Sequence, residues 1–144
     1  MFTDSAYVRI GNNVHFATCS VIGHDGAAGM LEAARGVPFD GTGKVDIREN
    51  VFIGHEAIIL PGVTIGPDAI LGMGSGDPRR ATRGGSGGVP ATQISTVDEV
   101  LARRKAETDS PPWKELIAQR KTFVDRAMEG TLRAARRPYF YADA

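Results

Sequence analysis

The stretch "IRENVFIGHEAIILPGVTIGPDAILGMGS", residues 47–75, carries a large aliphatic side chain at every sixth position. These positions are Ile47, Ile53, Ile59, Ile65 and Leu71. A spacing of six is neither the two-residue period of a strand nor the 3.6-residue period of a helix. Small or β-branched residues follow each of them by four positions: Val51, Ala57, Val63, Ala69 and Ser75. The small residue and the next large one are two apart, so both face the same side of a short extended segment. The pattern predicts a β-helix, in which each turn of the coil buries its apolar face against the turns above and below.

The same phase occurs earlier in the chain, where Ile10 pairs with Val14 and Phe16 with Ser20. Residues 25–43 interrupt it with five glycines and no apolar spacing, which predicts an inserted loop. The repeats resume at residues 44–76, and residues 76–88 are rich in Gly and Arg and lack the pattern. We therefore expect a mainly β domain over residues 1–94, with an atypical turn at about 76–88.

From Ser95 onward the sequence predicts a helical extension, residues 95–144. Ser95 is the predicted N-cap of a helix that continues to about Lys105, with acidic residues in its first turn. A second helix is predicted from Pro111 or Pro112, since proline is tolerated in a first helical turn. Its apolar stripe consists of Trp113, Leu116, Ile117, Val124, Ala127, Met128 and Leu132. The stripe predicts packing on the coil or on a neighbouring subunit.

Composition argues against several classes of partner. Seventeen basic and seventeen acidic residues give a net charge of zero, so neither a nucleic-acid nor a membrane partner is expected. The single cysteine, Cys19, cannot form an intramolecular disulfide, and no leader or long apolar run is visible. The expected compartment is the cytoplasm.

Three segments together resemble a known family. "NVFIGHEAIILPGVTIGPDAILGMGS" resembles the hexapeptide-repeat acyltransferases. "CSVIGHDG", an irregular loop and "GKVDIREN" resemble the branch that acetylates sugars, and "GGVPATQI" resembles the segment that ends its coil. The resemblance covers about residues 8–94 and implies a left-handed parallel β-helix of triangular section with three hexads per turn. It also implies a homotrimer, with acetyl-coenzyme A bound between subunits and a small sugar or sugar-like acceptor near the inserted loop.

The resemblance also implies the residues of the site. His24, in "GHDG", matches the catalytic histidine, and an imidazole with a pKa near neutrality suits removal of a proton from the acceptor. Asp25 is expected to orient His24 or to border the pocket. The residues expected at coenzyme A are Gly54, Gly72, Gly74, Ser75, Arg79, Arg80, Pro90 and Ala91.

Residues 76–92 depart from the family pattern. The usual Val-Thr-Arg-Asp-Val-Pro-Pro-Gly is replaced by "DPRRATRG", residues 77–84, and Thr92 stands where the family has a basic residue. Codons for the usual segment, read from their third nucleotide, encode the segment found here. We infer a local, compensated frameshift and expect residues 77–88 to lack β-helix geometry.

Two other interpretations compete with the enzyme. A degenerate repeat protein without catalysis would keep the scaffold as a binding or structural subunit, and residues 76–92 separate it from the enzyme. A zinc site of the γ-carbonic anhydrase type would use His15, His24 and His55, but these lack the close histidine pair of such sites. No metal is expected.

Overall fold

The computed structural model describes residues 1–38, 40–76, 80–81 and 84–142 of the 144-residue chain. They form two compact units, Met1–Val100 and Leu101–Ala144. The sequence placed the division at residue 94.

The first unit is a coil of short strands. The strands are β1 (Val8–Ile10), β2 (Val14–Phe16), β3 (Ser20–Val21), β4 (Val45–Ile47), β5 (Val51–Ile53), β6 (Ile58–Ile59), β7 (Thr64–Ile65), β8 (Ala69–Leu71), β9 (Arg80–Ala81), β10 (Gly84–Gly87) and β11 (Thr92–Ser95). They form three sheets, which we number I to III: β1-β4-β7-β9, β2-β5-β8-β10-β11 and β3-β6. Every pairing in them is parallel except that of β10 with β11. Consecutive strands visit the three sheets in turn, so the parallel coil predicted from the hexads is confirmed.

Register shows how the hexads stack. Asp46 pairs with Thr64, 18 residues later, which is the length of three hexads. Val8 pairs with Val45, 37 residues later, because the insertion lies between these two turns. Large residues of successive turns therefore stand above one another inside the coil. The buried cluster comprises Cys19, Val21, Val45, Ile47, Val51, Ile53, Ala57, Ile59, Val63, Ile65, Ala69 and Leu71.

A ladder of polar side chains follows the corner between sheets I and II. Asn13, Asn50 and Asp68 all have a left-handed backbone, with φ between 52° and 56°. Asn13 Nδ2 donates to Asn50 Oδ1 at 2.9 Å, and Asn50 Nδ2 donates to Asp68 Oδ1 at 2.9 Å. Asn and Asp tolerate this conformation because their short side chains bond locally, so the corner satisfies strained turns with one another's amides.

The inserted segment contains a helix that the sequence did not predict. Residues Ala27–Arg35 form α1, which ends at Gly36 with φ of 67°. Asp25 Oδ1 accepts a hydrogen bond from the Ala27 amide at 2.9 Å, which satisfies one free donor at the helix start. Glycine spacing concealed the helix, because no residue of α1 is buried and no apolar period marks it.

The prediction that residues 77–88 lack β-helix geometry is wrong for two segments. Strand β9 continues sheet I, and β10 pairs in parallel with β8 in sheet II. The partners there are 16 and 15 residues apart instead of 18, since Arg80 pairs with Thr64 and Ser86 with Leu71. This turn is therefore shortened but stranded; residues 77–79 and 82–83 lie outside the described residues.

The helical extension differs from its prediction at both helices. Helix α2 spans Val97–Asp109, and its cap is Thr96, not Ser95. The Thr96 hydroxyl accepts from the Glu99 amide at 3.2 Å while Glu99 Oε2 accepts from the Thr96 amide at 2.7 Å, a reciprocal capping box.

A single helix through the apolar stripe is wrong. The stripe is divided between α3 (Lys114–Ala118) and α4 (Glu129–Phe140). Only Trp113 and Leu132 of the stripe are buried, and the Trp113 ring meets Tyr139 edge to face at 4.9 Å between centroids. Val124 stays exposed because the chain between α3 and α4 is not helical.

Candidate active site

His24 lies at the neck of the inserted segment. Residues 23–25 run antiparallel to residues 41–43: the Gly43 amide donates to Gly23 O at 3.0 Å, and the Asp25 amide donates to Gly41 O at 2.7 Å. His24 and Thr42 form the bridge between them. The backbone carrying the imidazole is therefore fixed on both sides, although α1 beyond it is exposed.

A concavity of about 620 Å³ opens beside His24. Its floor is the corner of the coil between β6 and β7, where the chain runs through Leu60, Pro61 and Gly62. His24, Asp25 and Gly26 form the opposite side. The site thus sets one half-exposed imidazole against a largely apolar coil corner, a geometry that can hold a small molecule.

The partner of His24 is Asp4, which the sequence analysis missed. Asp4 Oδ2 and His24 Nδ1 are in close hydrogen-bonding contact, and the two side chains are 35% and 50% exposed. The contact joins residues 20 apart in sequence and across the first turn of the coil. No hexad spacing includes Asp4, so no periodic signal could have marked it. Asp25 borders the concavity as expected, but its Oδ1 caps α1.

The residues expected at coenzyme A lie on a different edge of the coil. Gly54 and Gly72 form the corner between sheets II and III in successive turns, where the Gly54 amide donates to Leu71 O at 2.8 Å. A Cβ on Gly54 would stand 2.6 Å from the Gly72 carbonyl carbon, so the two turns can stack this closely only without it. Gly74 is open, with φ of 64° and no atom within 4 Å of the place that a Cβ would occupy.

Other expected cofactor residues have mixed placements. The Ser75 side chain is completely buried inside the coil, so its hydroxyl cannot reach a ligand outside. The Ala91 amide donates to Gly76 O at 2.9 Å, which places Pro90 and Ala91 beside the same corner as Gly74. Arg79 lies outside the described residues, and for Arg80 the structure gives the strand position in β9.

The three histidines have three separate environments. His15 Nε2 is 3.1 Å from Asn13 Oδ1, and His55 Nε2 is 3.6 Å from Glu56 Oε1. Among the residues with described positions, no group of three or more His, Cys, Asp and Glu side chains could hold a metal ion. A search of the same residues finds no helix long and apolar enough to cross a membrane.

Comparison with known families identifies the repeats. Residues 44–76 match the family model described as bacterial transferase hexapeptide (six repeats). A search of curated proteins gave no match.

Solved structures with a similar fold include acetyltransferases. One is a galactoside acetyltransferase in complex with coenzyme A: 26% identity, TM-score 0.56, covering 69% of this chain and 50% of that one. Another is a hexapeptide-repeat acetyltransferase from Vibrio cholerae with acetyl-coenzyme A: 22% identity, TM-score 0.56, covering 67% and 52%. A third is an N-acyltransferase from Bacillus cereus with dTDP and coenzyme A: 22% identity, TM-score 0.53, covering 69% and 58%.

This chain spans about half the length of the first two structures. Its coil, its period and the match at residues 44–76 agree with one another. The resemblance to hexapeptide-repeat acyltransferases predicted from the sequence is therefore confirmed.

Proposed function

We propose that the protein is a cytoplasmic, acetyl-coenzyme A-dependent acetyltransferase that acts on a hydroxyl or amino group of a sugar or related small molecule. The observation that carries the proposal is His24, fixed in the neck of the insertion, half exposed at a concavity and in contact with a carboxylate. The similarity to a galactoside acetyltransferase, at 26% identity, supports the reaction class and a left-handed coil.

The chemistry assigned to His24 is general base catalysis. The neutral imidazole takes the proton of the acceptor O–H or N–H while that oxygen or nitrogen forms a bond to the thioester carbonyl carbon. The carbon–sulfur bond then breaks, and the proton passes from the imidazole to the departing thiolate, which leaves as the free thiol. A positioned base of this kind contributes about a hundredfold to ten-thousandfold in rate.

The position of the acyl donor requires a second copy of the chain. His24 lies beside the corner between sheets III and I, whereas Gly54, Gly72 and Gly74 lie at the corner between sheets II and III. These are different edges of a three-sided coil, so a donor bound at the glycine corner meets the His24 of a neighbouring copy more readily than its own. A closed ring of three such contacts gives the proposed homotrimer.

The glycine corner fits the donor in shape more clearly than in charge. Gly74 leaves room for a ligand against the backbone. Residues 54–55, 72–76 and 87–92 include no Lys or Arg, so the phosphates of coenzyme A must draw their cations from elsewhere, with Arg79 and Arg80 as candidates.

The shortened turn favours a second candidate function. Partners in sheets I and II are 16 and 15 residues apart there, and Thr92 replaces the family's basic residue. A protein that kept the coil and lost the donor site would serve as a binding or structural subunit.

Subunit complementation tests the enzyme against this alternative. We expect His24→Ala to lower kcat by about a hundredfold or more and to leave the thermal stabilisation by coenzyme A unchanged. Gly74→Asp should weaken coenzyme A binding by repulsion of its phosphates, and Gly74→Asn is the matched control, since both residues tolerate a positive φ.

Mixing the two inactive variants, refolded together, should restore about a quarter of wild-type activity if each site uses two subunits. A site within one chain would restore none. At a hundred times its dissociation constant coenzyme A should stabilise the wild type by about 2.7 kcal/mol. Neither stabilisation nor transfer to any of a panel of amino and hydroxy sugars would contradict the enzyme and favour the degenerate scaffold.

A further inference from the structure

The chain segment that precedes the first hexad is docked against the strand that leads to His24. Phe2 forms a parallel bridge with Val21, and the Thr3 amide donates to Val21 O at 2.9 Å. The Gly23 amide in turn donates to the Thr3 hydroxyl at 3.1 Å. Residues 2 and 3 therefore continue sheet III outward and bring the next residue to the neck of the insertion.

Asp4 is held in one conformation where this docked segment ends. Its φ is 53°, a left-handed value that Asp tolerates better than most residues, and its carbonyl accepts from the Tyr7 amide at 2.9 Å. The short 3₁₀ helix Ser5–Tyr7 then leads the chain into β1. The carboxylate is thus placed by its own backbone and meets the His24 ring without help from a flexible loop.

Gly23 permits this approach. A Cβ at Gly23 would stand 2.9 Å from the Asp4 Cβ and 3.1 Å from Thr3 O, closer than non-bonded atoms ordinarily come. Gly23 has no unusual φ that would itself demand glycine, so contact with the docked segment accounts for the missing side chain.

We propose that Asp4 is the positioning residue of His24: its carboxylate accepts the Nδ1 proton and fixes the tautomer whose Nε2 is free to take the proton of the acceptor. The proposal rests on the function proposed above for its catalytic consequence, whereas the tautomer itself does not depend on that function. A carboxylate on one ring nitrogen fixes both which nitrogen is protonated and how the ring is turned.

Asp25, the neighbour in sequence, does not have this role. Its Oδ1 already accepts from the Ala27 amide, and its amide donates to Gly41 O. Asp25→Asn therefore serves as the matched control, because it removes a carboxylate beside His24 in the chain and leaves the Asp4 contact in place.

The test is ¹⁵N NMR of the histidine rings in the full chain, in buffer alkaline enough that each ring carries one proton. We expect His24 of the wild type and of Asp25→Asn to show a protonated Nδ1 and an unprotonated Nε2. In Asp4→Ala the protonated nitrogen should become predominantly Nε2. A wild-type spectrum with an unprotonated Nδ1 overturns the proposal, whether or not the protein transfers acetyl groups.

Kinetics test the consequence separately. Asp4→Ala should lower kcat by about tenfold to a hundredfold, less than His24→Ala, with little change in KM for coenzyme A. Thr3→Val should lower kcat in the same direction by loss of the docking hydroxyl, and Thr3→Ser should restore it. A reversed tautomer with unchanged kcat would contradict the positioning role. The expected tautomer in a protein without transferase activity would support the dyad and contradict the proposed function.

Discussion

The middle and the amino-terminal end of the coil carry the same hexad pattern and bury it differently. Ile47 is fully buried, whereas Ile10, its register partner in the end turn, is 45% exposed. Ile53 and its partner Phe16 differ in the same way, at 0% and 36%. The hexads determine which way a side chain points, but burial also requires a turn on each side, and the end turn has one on one side only.

The opposite end adds a contrast in sequence. Strand β10, Gly84–Gly87, has the sequence Gly-Gly-Ser-Gly, which has no strand propensity. It is extended because β8 offers it a ladder of unpaired backbone groups, and Ser86 takes the inward place opposite Leu71. The middle turns therefore act as a template, and the end turns depend on them.

The largest effect should separate the two isoleucines. Ile47→Ala should lower the free energy of unfolding of the coil by about 2–5 kcal/mol, because it leaves a cavity between two turns. Ile10→Ala, the matched change in the end turn, should cost about 1 kcal/mol or less, since half of its side chain is already in water. Urea unfolding followed by circular dichroism measures both. Equal losses would show that something covers the end turn in solution.

A smaller effect is expected where two middle turns approach closest. Gly54→Ala should destabilise the coil by roughly 1–3 kcal/mol, because the new methyl group would meet backbone atoms of Gly72 and Met73 that cannot move without parting the turns. Gly29→Ala is the control: its site in α1 is open, and alanine there should stabilise by about 0.5–1 kcal/mol. Differential scanning calorimetry gives both changes. A neutral Gly54→Ala would mean that the turns are not stacked as closely as described.

The smallest effect concerns the ion pair that ties the end turn to the middle. Arg9 in β1 donates through Nε and Nη2 to the two carboxylate oxygens of Asp46 in β4, at 2.8 and 2.6 Å. These hydrogen bonds lower the pKa of Asp46, against the opposing effect of its burial. A carboxyl with a lowered pKa stabilises the fold above its ordinary pKa, and this contribution is lost as the pH falls through the lowered value.

Arg9→Met should therefore raise the midpoint of acid unfolding by about a few tenths of a pH unit and change stability near neutral pH little, since Arg9 itself is exposed. Arg104→Met, which removes an arginine from an exposed pair with Glu107, should leave the midpoint in place. Circular dichroism against pH distinguishes the two variants. An unchanged midpoint in Arg9→Met would show that the pair does not couple the turns.

Sequence predicted the coil and its interior because stacking is periodic. Each large residue from Ile47 to Leu71 has the same neighbours one turn away, so one spacing defines all of their surroundings. Residues without a period were predicted poorly. Helix α1 buries none of its side chains, and the apolar stripe after Trp113 could not reveal where its helix breaks.

The candidate site illustrates the same limit. His24 was found through a motif that continues the hexads, whereas its contact with Asp4 depends on a left-handed residue before the first strand and on an absent side chain at Gly23. Neither condition leaves a pattern that can be recognised in one sequence. The predicted role of Ser75 at coenzyme A failed to consider that the fifth place of a hexad points inward.

The neck at residues 23–25 and 41–43 has a consequence for how this coil can change. Across it the register lengthens from 18 to 37 residues, and the strands on both sides still stack in phase. Since the ends are already joined by backbone hydrogen bonds, the length of the excursion between them is decoupled from the geometry of the coil, and doubling it would cost only about 0.6 kcal/mol in closure entropy. The neck is thus an insertion port: segments of other lengths can be exchanged there, each presenting a new wall to the same imidazole, while the scaffold keeps its register.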